Sequence, residues 1–448
     1  MCGDDGDPSE VRKVEMKSDT NRGRVDPATD EEATQPSVSV ILPTYGRAGY
    51  IGAAIRSILA QSVPLRDVVV VDDGSTDGTA EAVARFGDRV TYVYQENAGK
   101  LSAIDRGLNL IRGDLVWIMD DDDIAEPGAV AALRRPFAED PDCVLSYGRM
   151  TRFQDGQEDA GRDVPVPYPV DDPRPFFAKI LEDCFITGHP CVLVRRSALE
   201  ALRPFQQGII ASVDYYLYLG IAQAGRSVFV DRQVLRQRQH GGVRGAAAHS
   251  YAESDRNARW AAQDRAMIAP LLDDLPLAAY TRAPLDIDGD GALSAPSQAA
   301  ERRRALFQKA VIAARKKLWP QAFDAFRAAA DIAPERPLDP AERFILTRAL
   351  GCRYGIAEVH GDPEIPATLR DIAARRPDGS ALLSALARPL LHEVKIARRE
   401  RDPARVRDAM RTWRRLMPTG ASAVAFGEVL TRAAAKLRSR VVGQSRGL

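Results

Sequence analysis

Four short runs of almost unbroken apolar residues each stop at a polar cluster, and this constrains the fold more than anything else in the chain. They are Val38 to Leu42, Val68 to Val71, Val90 to Tyr94 and Leu115 to Met119. Between them lie helical patterns at Ala48–Ala60, Thr79–Phe86 and Leu101–Ile111, the first carrying Ile51, Ile55, Ile58 and Leu59 on one face. Strands buried on both faces read as continuous apolar runs, and strand–helix alternation with short connections builds a parallel sheet covered by helices. Ligands of such sheets bind beyond the carboxyl ends of the strands. Here those ends hold Pro43-Thr44-Tyr45, Asp72-Asp73 and the run Asp120-Asp121-Asp122-Asp123.

The aspartate run points to a cation. Read as a strand continuation, Asp120 and Asp122 share a face and converge on one hard ion, while Asp121 and Asp123 point elsewhere. Two carboxylates, with phosphate oxygens at the remaining positions, are a usual way to hold Mg²⁺ or Mn²⁺. A solvated acidic turn is the plain alternative, but four adjacent carboxylates repel and a turn has no need of them. Asp72-Asp73-Gly74-Ser75-Thr76-Asp77-Gly78-Thr79 places carboxylates and backbone N–H groups at one sheet edge. A carboxylate there can accept from a nucleobase imide or a ribose hydroxyl, or can cap the following helix.

These segments resemble the nucleotide-binding half of a family 2 glycosyltransferase of the GT-A fold. The resemblance rests on Val40-Ile41-Leu42-Pro43-Thr44-Tyr45-Gly46-Arg47, then Val70-Val71-Asp72-Asp73-Gly74-Ser75-Thr76-Asp77, then Met119 to Asp123, in that order and spacing. It implies a donor site formed by Pro43, Thr44, Tyr45, Arg47, Asp72, Asp73, Asp120 and Asp121, with the metal on Asp122 and Asp120. Asn97-Ala98-Gly99-Lys100 resembles the segment nearing the diphosphate, which makes Lys100 a phosphate partner; Asp105 and Gly46 stand where relatives often carry Asn. Val194 to Leu199, then Pro204-Phe205-Gln206 and Ser212-Val213-Asp214-Tyr215, is similar to the acceptor half, and Asp214 holds the position of the catalytic base. Arg236 to Gly242 resembles an Arg-x-His segment, which makes His240 a metal ligand and Arg238 a diphosphate clamp. The implied reaction moves a sugar, with inversion, from a UDP-, GDP- or dTDP-linked donor to a sugar, lipid-linked or protein acceptor in polysaccharide or glycoconjugate synthesis.

The expected organisation over 448 residues is a disordered leader (1–36), a GT-A domain (37–250), a linker (251–300) and a helical region (301–448). The fold class is thus α/β followed by all-α. Leu318 to Pro334 has the look of one tetratricopeptide-type helix pair, although a single copy does not make an array. Asp286 to Leu293 copies the start of an EF-hand loop, but Ser297 stands where the bidentate Glu belongs, so a linker turn is expected.

Composition removes several other classes. Lys plus Arg (62) equals Asp plus Glu (62), which points to no nucleic-acid partner. The five cysteines are scattered and odd in number, as in reduced thiols of a cytoplasmic protein, and no apolar stretch approaches the roughly 18 residues of a membrane span. The C-terminal helices, with basic Lys436, Arg438, Arg440 and Arg446, leave open a peripheral membrane contact at the inner face or a protein partner. Two rival readings remain: a helical interaction protein carrying an inactive sugar-nucleotide domain, and a nucleotidyltransferase.

Overall fold

A computed structural model of the chain describes residues 35–417 except 159, 241–252 and 353. The leader before residue 35, Gly241-Gly242 and the basic tail beyond 417 therefore lie outside the described residues. The chain divides into two units, residues 1–169 with 186–252 and residues 170–185 with 253–448.

The first unit is α/β. Its nine-stranded sheet runs β3-β2-β1-β4-β8-β6-β9-β5, with β7 paired to β6. The parallel half is β1 (Val38–Thr44), β2 (Asp67–Asp72), β3 (Thr91–Tyr94) and β4 (Leu115–Ile118). The mixed half adds β5 (Ile124–Ala125), β6 (Cys143–Gln154), β7 (Val164–Pro165), β8 (Val192–Arg195) and β9 (Arg226–Gln239). Strand β8 is antiparallel to both β4 and β6, and β6 runs parallel to β9 through register shifts near Gly148.

Helix α1 (Ile51–Leu59) buries Ile51, Ala54, Ile55 and Ile58, the spacing of one helical face. Helix α2 (Thr79–Ala84) follows β2, and α3 (Lys100–Leu108) precedes β4. Gly107 on α3 lies where a Cβ would come within 2.6 Å of the Ile41 side chain, so only glycine allows this helix so close to β1. Helices α4 (Ala129–Glu139), α5 (Phe176–Glu182), α6 (Arg196–Glu200) and α7 (Val213–Ile221) come next; α5 belongs to the second unit. The expected α/β fold class followed by helices is what the structure shows.

The second unit is helical. It contains α8 (Glu253–Asp274), α9 (Ala299–Arg315), α10 (Trp319–Ala330), α11 (Pro340–Leu346), α12 (Ala357–Gly361), α13 (Glu364–Ala373), α14 (Gly379–Arg399) and α15 (Pro403–Leu416). Where a linker was expected, α8 forms a 22-residue helix. Among its described side chains, the buried ones, Asp264, Met267, Ile268 and Leu272, lie in its second half, which weakens the periodic signal. Helices α9 and α10 pack against each other, and Leu318 to Pro334, read as a helix pair, holds the single helix α10. Asp286 to Leu293 is a turn, and among the described residues no three His, Cys, Asp or Glu side chains are grouped to hold a metal ion. Among the described residues Cys143, Cys191 and Cys352 are free thiols, and no described helix is long and apolar enough to cross a membrane.

Candidate functional site at the strand ends

The loops after β1 and β2 are stitched together by backbone donors. Gly46 N–H donates to Ser75 Oγ (2.8 Å), Arg47 N–H to Thr79 Oγ1 (3.1 Å), and Ala48 N–H to Asp77 Oδ2 (3.1 Å). Asp72 and Asp73 are both buried, and the chain's own donors engage them. Asp72 accepts from Ser75 N–H (2.8 Å) and the Tyr92 hydroxyl (2.7 Å). Asp73 accepts from Ala98 N–H (2.8 Å), Gly99 N–H (2.8 Å) and Gln95 Nε2 (2.7 Å). The two carboxylates thus shape the loops 74–79 and 97–100. Gly74 supplies the turn between them at φ 90°, with Asn97 N 3.0 Å from where a Cβ would sit.

Pro43 and Thr44 are buried at the end of β1, and Tyr45 N–H reaches Asp121 Oδ2 at 3.4 Å. The aspartate run itself is a turn, because β4 ends at Ile118. The expected pleat alternation does not apply there, and the direct contacts of Asp120 and Asp122 differ. Asp120 forms an ion pair with Lys100. Asp122 meets His240 Nε2 at 2.9 Å. Asp121 lies 3.7 Å from Arg47, and Asp123 accepts the Arg238 N–H at 2.9 Å.

The electrostatics divide the four carboxylates. Burial lifts Asp121 to a pKa of about 7, with the Asp122 charge adding to it against Arg47. Burial, then Asp122 and Asp120, raise Asp123 well above the usual carboxylate range. Burial also opposes charge on Asp122, but the His240 hydrogen bond, Arg47 and Lys100 outweigh it and hold Asp122 below its ordinary value. Of Asp121, Asp122 and Asp123, Asp122 is therefore the one its surroundings keep anionic. Burial works against the Lys100 ammonium too, and Asp120, Asp214 and Asp121 together overcome it and raise its pKa. Asp214, in the first turn of α7, thereby takes part in the same charge cluster as the aspartate run. Its Oδ1 accepts the Tyr215 N–H at 2.9 Å.

Arg238 is not poised as an open clamp. Its side chain is buried against Asp155 (2.8 Å) and Glu158, and its Nε donates to the Asp122 carbonyl at 2.9 Å. Tyr50 stacks on His240, and its hydroxyl donates to Asp155 at 2.9 Å. No motif or spacing flags Tyr50, Asp155 or Glu158; for Tyr50, an aromatic immediately before a buried helical stripe is the only signal. His189, also unflagged, is buried with Nε2 lacking a protein partner, and burial, with Lys100 nearby, keeps its imidazole neutral.

Residues 39–203 match the family model described as Glycosyl transferase family 2. A glycosyltransferase of Rickettsia typhi is 37% identical over 95 residues, which is 21% of this chain and 30% of that one. The putative glycosyltransferase EpsH of Bacillus subtilis is 28% identical over 173 residues, 38% of this chain and 49% of EpsH. The chain thus spans less than half the length of these curated relatives. A solved structure of residues 1–349 of Staphylococcus aureus TarS is 16% identical, with a TM-score of 0.44, covering 84% of this chain and 91% of that one. The matched segment holds the strand-end loops and the aspartate run, and the chain carries a family 2 glycosyltransferase domain.

Proposed function

We propose that this protein transfers a sugar from a nucleoside-diphosphate sugar to an acceptor hydroxyl, with Mn²⁺ or Mg²⁺ bound at the donor site. The observation that carries the reading is the meeting of Asp122, after β4, with His240, after β9. Two ligands of one octahedral ion, each about 2.1 Å from it, sit about 3 Å apart. The 2.9 Å between Asp122 and His240 Nε2 matches that spacing; the anionic oxygen suits Mn²⁺ or Mg²⁺, and the imidazole beside it favours Mn²⁺ over Mg²⁺. Such an ion, when bound, neutralises charge on the diphosphate leaving group.

The chain's own residues supply the rest. Lys100 and Arg47 bring positive charge to the same edge, and both are already oriented by Asp120 and Asp121. Loops 43–47 and 72–79 offer the nucleotide pocket. Asp214 accepts the proton of the attacking hydroxyl as the new bond to the anomeric carbon forms and the bond to the diphosphate oxygen breaks. Attack opposite the leaving group gives inversion. The donor is a UDP-, GDP- or dTDP-sugar, and the acceptor a sugar, lipid-linked or protein hydroxyl.

A thermal-shift panel of UDP-, GDP-, dTDP- and CMP-sugars, with and without Mn²⁺, tests the reading. One nucleotide class should stabilise the protein only when Mn²⁺ is present. Absence of any shift across the panel would favour an interaction protein built on an inactive domain.

A further inference from the structure

His240 follows the last residue of β9. Its imidazole faces Asp122, and the side chain is only 3% exposed. What lies against the ring is Tyr50, with centroids 5.2 Å apart and planes inclined by 23°. Tyr50 is held in turn. Its hydroxyl donates to Asp155 Oδ2 at 2.9 Å, and Asp155 Oδ1 accepts from Arg238 at 2.8 Å. The Arg238 guanidinium lies over the Tyr50 ring at 5.1 Å and over Phe153 at 4.8 Å. The same arginine grips the aspartate run through the Asp122 carbonyl and the Asp123 carboxylate. Tyr50, Asp155 and Arg238 therefore form a closed ring of contacts, with the imidazole on one side and the Asp122 backbone on another.

We infer that Tyr50 is a positioning residue: its ring fixes the plane of His240 so that Nε2 points at Asp122, and Asp155 anchors Tyr50 through its hydroxyl. The inference rests on the proposed function, since it assigns Tyr50 a role toward the cation that Asp122 and His240 would hold. Groups that orient metal ligands typically change metal affinity by roughly 10–100-fold when removed. Stacking needs only the ring, so Tyr50→Phe keeps the principal contact and Tyr50→Ala removes it.

The test is a Mn²⁺ titration of the full chain, read from the electron paramagnetic resonance of free Mn²⁺, with UDP or GDP present. Tyr50→Ala should weaken Mn²⁺ binding by roughly tenfold or more, Tyr50→Phe by less than about threefold, and Asp155→Asn by an intermediate factor. In turnover, Tyr50→Ala should raise the Mn²⁺ concentration for half-activation while kcat at saturating Mn²⁺ stays close to that of the wild type. Wild-type Mn²⁺ affinity in Tyr50→Ala overturns the inference and leaves the functional reading standing. A wild-type protein that binds no Mn²⁺ with either nucleotide overturns the functional reading and the inference together. Should Tyr50→Ala fail to fold, Tyr50→Leu, which fills the space without a stacking ring, decides: unchanged Mn²⁺ affinity in that variant overturns the inference.

Discussion

Two buried carboxylate clusters in this molecule behave in opposite ways. In the helical unit, Glu182 on α5 is 1% exposed and surrounded by Arg174, Arg315 and Arg348, with Gln308 Nε2 donating at 3.1 Å. Burial alone would push its pKa up, but Arg315, Arg174 and Arg348 override that and bring it down to about 2. Asp172 and Asp183 take further bonds from Arg174 and Arg315, so three acids face three arginines and the cluster is electrically closed. At the strand ends of the α/β unit, burial instead lifts Asp121 to about 7 and Asp123 well above the usual range. There Arg238 is shared with Asp155 and Glu158, and Lys100 with Asp120 and Asp214. The first cluster has nothing left for a ligand to do. The second carries surplus negative charge that a cation would satisfy, and this contrast separates a structural ion network from a candidate site.

Substitutions can break this comparison on either side. The largest effect is expected at Asp214. If it takes the acceptor proton, Asp214→Asn should lower kcat by roughly 10²–10⁴-fold with donor binding intact; near-normal transfer would remove it from that role. Next is Glu182→Gln, which leaves three arginines around a neutral side chain and should destabilise the chain by about 3–5 kcal/mol in denaturant unfolding. A change below about 1 kcal/mol would mean that the network adds little net stability.

The two clusters should also respond oppositely to pH. Glu182 has a folded pKa depressed from 4.5 to about 2, so its contribution is present above 4.5 and is lost as pH falls toward 2. Asp121 has a folded pKa raised from 3.8 to about 7, so ionising it costs stability as pH climbs from 3.8 through 7. Thermal melts of the metal-free protein should show the second trend, and Asp121→Asn should flatten it. A metal-free stability that rises over that interval in both proteins would contradict the account. The smallest effect is expected at Gly74, where an alanine at φ 90° against Asn97 should cost about 1–2 kcal/mol.

The first half of the sheet was legible because buried parallel strands leave continuous apolar runs, as in Val68 to Val71. Its strand-end polar residues then followed from topology. The second half was less legible. Strands β6 and β9 run on to Gln154 and Gln239 as long, partly exposed strands whose polar residues hide the pattern. Within the site, composition exposes the aspartate run, but strand alternation does not extend past the end of β4: Asp122 meets His240 and Asp120 pairs with Lys100. Asp155 and Glu158 had no sequence signal, since they follow β6 and meet Arg238 through the β6–β9 pairing across 83 and 80 residues of chain, and Tyr50 reaches that cluster from the start of α1.

The central claim is that Asp122 makes donor binding depend on a divalent cation. Calorimetric titration of the nucleoside diphosphate selected by the donor panel, with Mn²⁺ and with a chelator, tests it in wild type and Asp122→Ala. Binding should be strong in the wild type with Mn²⁺, and chelator or Asp122→Ala should each weaken it by roughly tenfold or more. Equal binding under all of these conditions, in a variant that melts like the wild type, would contradict the account.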